Sequence, residues 1–461
     1  MATVEKSAHP VDEVLPAAQL GAFGLQHVLA MYAGAVAVPL IVGGSLGMKG
    51  ADLAYLITAD LLLCGVATLL QCVGWWRFGV RLPIMQGCTF AAVTPMVLIG
   101  KDGGLPAIYG SVIVAGLAMI LLAPVFGRLL RFFPPLVTGT VILVIGLSLL
   151  PVAGNWAAGG QGAKDFGEPK NIALAAGVLV AVLAIQRFAP PFLSRVAVLA
   201  GIVLGMVVAL LLGFTDFSGV GDADWVGIST PFHFGTPSFQ GAAIVSMLVV
   251  ALVTMTETTG DFIAVGELTG RRIEPRRLAD GLRADGVSTV LGGIFNTFPY
   301  TAFAQNVGLV GMTRVRSRWV VATAGGILVL LGLLPKLGAV VAAIPAPVLG
   351  GAGLVMFGSV AANGLRTLAT VEFKDNHNLT VVAVSLAVGL LPVGVPTIYD
   401  RFPDWFQTVM DSGISAGCIT AIALNLLFNH LPAKGDSAAG PLVLAAGADE
   451  NAVEEAGEQR L

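Results

Sequence analysis

The sequence predicts an all-α polytopic membrane protein of fourteen transmembrane segments, and three observations predict it. Of its 461 residues, 56% are hydrophobic and only 11% charged, against about 25% charge in soluble globular proteins. Stretches free of charge and long enough to cross about 30 Å of hydrocarbon recur from end to end. The Lys and Arg residues also concentrate on alternate loops, as the positive-inside rule requires of a multi-pass chain. A net charge of −3 leaves no electrostatic footprint for nucleic acid. Cys64, Cys72, Cys88 and Cys418 sit in apolar segments without metal-ligand spacing and read as small buried hydrophobes.

The spans fall at 18–44, 53–74, 83–99, 106–126, 134–153, 171–187, 194–214, 239–265, 280–297, 302–313, 316–335, 337–361, 378–397 and 412–431. The tenth is too short to cross as a helix at about 1.5 Å per residue. Six of the 25 Lys and Arg residues lie in odd-numbered loops: Lys49, Lys101, Lys164, Lys170, Lys336 and Arg401. The rest lie in the tails and even loops, notably Arg271, Arg272, Arg276, Arg277 and Arg283, then Arg314, Arg316 and Arg318. That asymmetry places both termini in the cytoplasm. The first twenty residues are mixed polar with no cleavage site, so the first helix is expected to stay as an anchor. Residues 432–461 read as a disordered tail, and 154–170 and 216–224 as solvated connections.

Two spans are interrupted. The third contains Pro83, Gln86, Gly87, Thr89, Phe90 and Pro95; the tenth contains Pro299, Thr301, Phe303, Gln305 and Gly308. They are seven spans apart, as a seven-plus-seven repeat requires, and transporters often bind substrate between such broken segments. Two Pro-kinked helices are the plainer reading. Extended backbone at mid-membrane needs protein or water to satisfy it, and short paired strands would do so. The following half-helix N-termini would then point at a ligand.

The chemistry concentrates in Thr254-Met255-Thr256-Glu257-Thr258-Thr259-Gly260-Asp261. No charged residue lies between Trp225 and Thr256, so Glu257 ends a membrane run. A carboxylate there costs roughly 2.5–3.5 kcal/mol on insertion scales and usually faces a polar cavity. Thr254, Glu257 and Asp261 share one helix face; an interfacial position suits Asp261 better than Glu257. A buried carboxyl can bind substrate and couple to a proton gradient. Asp285 reads either as an inward carboxylate or as a helix-start residue, and Asp60 as interfacial. His27 reads as an interhelical hydrogen-bonding group ahead of a proton shuttle. Gln305 and Asn306 supply amides suited to a planar heterocycle, with Phe90 and Phe303 able to stack on it.

Gln305-Asn306-Val307-Gly308-Leu309-Val310-Gly311-Met312-Thr313-Arg314 resembles the signature of the nucleobase–ascorbate transporter family, also called nucleobase–cation symporter family 2. Gln26-His27 is similar to the family's first-span pair, Glu257 with Asp261 to its eighth-span acidic pair, and Asp285 to its ninth-span Asp. The resemblance runs from about Leu20 to Leu431. It implies two inverted repeats, with short strands in segments 3 and 10. Spans 1–4 (18–126) and 8–11 (239–335) would form a core domain; spans 5–7 (134–214) and 12–14 (337–431) would form a gate domain that mediates homodimers. The cytoplasmic N-terminal tail would be 1–17.

By the same resemblance, Glu257 and Gln305 hold the edges of the base, Phe90 stacks on its ring, and the Ala304 backbone adds a contact. Asp285 serves proton coupling or rearrangement, and Asn306 and His27 orient the site. Gln at 305 is similar to the xanthine/urate branch, whereas uracil carriers tend to have Glu; Thr258 would add a hydroxyl contact to an oxidised purine. The function implied is proton-coupled import of xanthine and/or urate across the cytoplasmic membrane by an elevator-like cycle. A uracil or broad nucleobase symporter is the alternative. An anion exchanger of similar architecture would lack the Gln-Asn-x-Gly motif. A membrane enzyme finds no nucleophile–base set here. The expected partners are a purine, the bilayer and a second copy, with no cofactor beyond the coupling proton.

Overall fold

The computed structural model describes residues 9–215, 217–373 and 376–431. The expected tail at 432–461 lies outside them. The first half runs α1 (Ala17–Ser45), α2 (Gly50–Val73), β1 (Gln86–Cys88), α3 (Val93–Leu122), α4 (Phe126–Leu129), α5 (Pro135–Ala157), α6 (Pro169–Phe188), α7 (Pro191–Arg195) and α8 (Ala197–Leu211). After a short linking helix α9 (Ser218–Asp222), the second half follows: α10 (Gly241–Thr269), α11 (Pro275–Ile294), β2 (Tyr300–Ala302), α12 (Ala304–Thr313) and α13 (Arg318–Gly332). It ends with α14 (Pro335–Ala342), α15 (Ala346–Leu368), α16 (Asn376–Gly394), α17 (Asp404–Met410) and α18 (Gly413–Asn429).

Every expected span has a counterpart in this order, and the two halves match element by element. Helix α3 supplies two spans because it breaks at Gly104, whose φ of 69° lies in the left-handed region and just precedes Leu105-Pro106. Its halves correspond to α12 and α13. Eight of the described helices are long and apolar enough to cross a membrane alone. Helix α11 falls short because it carries Arg276, Arg277, Asp280, Arg283 and Asp285. The expected twelfth span, 337–361, is corrected. Pro345 stands as an N-cap at φ −61°, ψ 140°, and the membrane helix starts at Ala346. The residues before it form α14, bent by 82° from α13. Helices α17 and α18 repeat that bend at 83°.

Small residues let the halves interlock. A Cβ added to Gly65 of α2 would collide with the backbone of α13 at Gly325, and one added to Gly116 of α3 with the backbone of α11 at Gly286. Close crossings at small residues are how membrane helices gain packing without a hydrophobic drive between them. Since α2 corresponds to α11, and α13 to the second half of α3, the two crossings are images of one another. Helices α5 and α15 pack along each other, with Gly139 and Gly146 against α15 and Gly364 against α5.

On the face where the chain begins, residues 9–16 form a strap. Val11 is fully buried among Val80, Leu82, Phe262 and Val265. Asp12 joins Arg271 at 3.0 Å and Arg318 at 2.8 Å, and the Arg318 amide donates to the Val11 carbonyl.

Candidate binding site

Strands β1 and β2, one from each half, pair antiparallel in the register Gln86↔Ala302, Gly87↔Thr301 and Cys88↔Tyr300. The Thr89 amide continues the ladder to the Pro299 carbonyl at 2.9 Å, and the Phe303 amide to the Met85 carbonyl at 3.0 Å. Inside a membrane each half thus satisfies the other's extended backbone. Gly87 is required at the centre: any Cβ there would occupy the place of the Phe303 ring, which also lies against Gly34 of α1. Phe303 is therefore a wedge, 4% exposed. Phe90 keeps an accessible face and meets Phe357 edge-to-face at 5.9 Å. Past the strands, α12 begins at Ala304 with no side chain capping its first turn; the Asn306 amide already donates to the Phe303 carbonyl at 3.0 Å, which leaves the Ala304 and Gln305 amides for a ligand.

A cavity of about 310 Å³ opens beside the ladder, within the roughly 300–1,000 Å³ typical of small-molecule sites. One wall carries Phe90, Glu257, Asp261, Ala304 and Gln305. Across from it stand α5, through Thr138 and Ile142, and α15, through Asn363 and Arg366. Glu257 lies sixteen residues beyond the start of α10, about 24 Å along the helix. A second cavity, of about 210 Å³, shares Phe90, Phe303 and Gln305 and reaches Gln186 and Arg195. The amide of Gln305 thus stands between two spaces.

The other predicted residues surround this wall without all joining it. Asn306 donates from Nδ2 to the His27 carbonyl at 3.0 Å and lies 3.1 Å from His27 Nδ1. This pair ties α12 to α1, matching the interhelical role read for His27. Asp285 is fully buried, ten residues after the start of α11. It is an inward carboxylate, not a helix-start residue, and Gln71 donates to it at 2.5 Å.

Two expectations are corrected. Thr258 offers no hydroxyl to the cavity: it is fully buried, bonds the Thr301 hydroxyl at 3.0 Å and accepts from the Ala302 amide at 3.2 Å. Its helical neighbour Glu257 points about 100° away, so adjacency in sequence placed them on different faces. Asp60 is not interfacial but wholly buried. Sequence reading also missed Gln71, Asn363 and Arg366. Gln71 was visible as an amide in an apolar run, while Asn363 and Arg366 lie just past the expected end of the twelfth span at 361.

The Permease family model matches residues 18–398. The chain belongs to this family, the nucleobase–ascorbate transporters. The permease is 47% identical over 429 residues to the uric acid transporter UacT of Escherichia coli (strain K12), covering 92% of this chain and 89% of that one. It is 46% identical over 406 residues to a xanthine permease of Bacillus subtilis (strain 168), covering 88% and 93%. Among solved structures, the transmembrane domain of the cyanobacterial bicarbonate transporter BicA superposes with a TM-score of 0.58 at 14% identity, over 90% of this chain and 100% of that one. Murine Slc26a9, an anion transporter in the inward-facing state, gives a TM-score of 0.62 at 11% identity, over 91% and 69%. These two share the inverted-repeat fold of the permease. The permease is a multi-pass membrane transporter and not an enzyme.

Proposed function

We propose that the permease imports an oxidised purine, xanthine and/or urate, in symport with a proton. The observation that carries this is the shared wall on which Glu257, Gln305, Phe90 and the uncapped start of α12 line one cavity. A carboxylate accepts from ring N–H groups, an amide both donates and accepts, and backbone amides donate to ring carbonyls. A flat heterocycle with alternating N–H and C=O edges fits that set, with Phe90 against its face. The names of the two bacterial relatives, for uric acid and for xanthine, support the same substrate class. Gln305 favours it over the uracil alternative.

In this reading spans 1–4 and 8–11 carry the substrate as a core domain, and spans 5–7 and 12–14 form the gate it slides against. The cavity lies between the two groups, bounded by α10 and α12 on one side and by α5 and α15 on the other. Both termini face the cytoplasm of a cell whose plasma membrane holds the protein as a homodimer. Asp261 and Asp285 take the coupling role: Asp261 lines the cavity beside Glu257, and Asp285 is a fully buried carboxyl held by Gln71.

The test is uptake of radiolabelled xanthine into proteoliposomes, with and without an inward proton gradient, competed by urate, uracil and adenine. Gradient-driven uptake blocked by urate but not by uracil is expected. Block by uracil overturns the substrate branch, and uptake indifferent to the gradient overturns the coupling.

A further inference from the structure

The strand crossing is held from below by a group that the transport scheme leaves unused. Asp60 lies ten residues after the start of α2, as deep in its helix as Asp285 lies in the corresponding α11. It is fully buried, and the partners found for it are all neutral. Its Oδ1 atom accepts from the Cys88 thiol at 2.7 Å, the Thr297 hydroxyl at 2.9 Å and the Tyr300 hydroxyl at 3.0 Å. The Cys64 thiol approaches both carboxyl oxygens at 3.7 Å. Cys88 and Tyr300 are the last pair of the two strands on one side. One carboxyl oxygen therefore gathers a donor from each strand and a third from the turn before β2.

That geometry is costly unless it performs a task. A carboxyl far from water and from any cation is tolerated only where donors satisfy it. Here they do so at the one point where the two repeats exchange backbone hydrogen bonds. Two residues past Cys88 the chain delivers Phe90 to the cavity, and four past Tyr300 it delivers Ala304. Shifting the ladder by a single residue would turn its side chains to the opposite face.

We propose that Asp60 is a positioning residue for transport: through Cys88, Thr297 and Tyr300 it fixes the strand register that presents Phe90 and the first turn of α12 to the substrate. This rests on the purine reading of the cavity. Asp60 acts as an acceptor, so its oxygen matters and its charge does not.

Binding of radiolabelled xanthine and urate to the purified full chain in nanodiscs tests this, together with amide hydrogen exchange of peptides spanning 85–91 and 299–305. Asp60→Ala should weaken binding at least tenfold and speed exchange at the ladder at least tenfold. Asp60→Asn keeps the Oδ1 acceptor and should stay within threefold of the parent on both counts, whereas Tyr300→Phe should lose about threefold. Wild-type affinity or unchanged exchange in Asp60→Ala overturns the proposal, as does an Asp60→Asn variant as impaired as Asp60→Ala. If Asp60→Ala is not recovered folded, Tyr300→Phe and Thr297→Val decide, and neutrality of both overturns it. Absence of xanthine and urate binding by the parent protein sinks the purine reading alone, because ladder exchange still decides the role of Asp60.

Discussion

In the proposed function, Glu257 and Gln305 divide the work at the level of single side chains. Glu257→Gln replaces a two-oxygen acceptor with an amide, and hydrogen bonds to charged groups contribute roughly 1.5–3 kcal/mol. Xanthine uptake should fall at least about tenfold with surface expression unchanged; uptake of wild-type size would reject the assignment. Gln305→Glu should weaken xanthine uptake and admit uracil, read by competition in the same vesicles. Thr258 belongs to the ladder, so Thr258→Ser should keep uptake and Thr258→Val should lower it while leaving the xanthine-to-urate preference unchanged. A changed preference would return Thr258 to the substrate. At this scale the sequence was legible at Glu257, His27 and Gln305, where a polar group interrupts an apolar run, but the same signal at Gln71 was passed over. It was misleading for Asp60, because a carboxyl near the start of a span looks the same whether it meets headgroups or the underside of a strand from the other half. Only the fold brings Cys88, Thr297 and Tyr300 to it.

Among elements, the strands and the glycine crossings carry the architecture. The span pattern followed from the gaps between charges, since crossing hydrocarbon leaves no other option. The break before α15 did not, because Ala-Ala-Ile-Pro-Ala-Pro is apolar throughout and only the Pro345 backbone marks the turn. The crossings at Gly65 with Gly325 and Gly116 with Gly286 were equally silent, because a glycine in a membrane helix is unremarkable until its neighbour is known. Overpacking such a contact costs about 1–3 kcal/mol. Gly65→Leu and Gly116→Leu should therefore each lower the thermal midpoint of the solubilised protein by several degrees. Gly154→Leu, with open space around it, is the control. Equal shifts in all three variants would deny the crossings their role.

Across the whole molecule, the two halves are inverted copies that complete one another at a single ladder. Strand β1 finds its only partner among the described residues in β2, and Gly87 in the first half makes room for Phe303 of the second. A half-length chain of this kind would carry a binding surface with its complement missing. Only the other half, inserted in the opposite orientation, restores it. A single chain carrying both halves thus fixes one orientation for each and guarantees that every strand meets its complement.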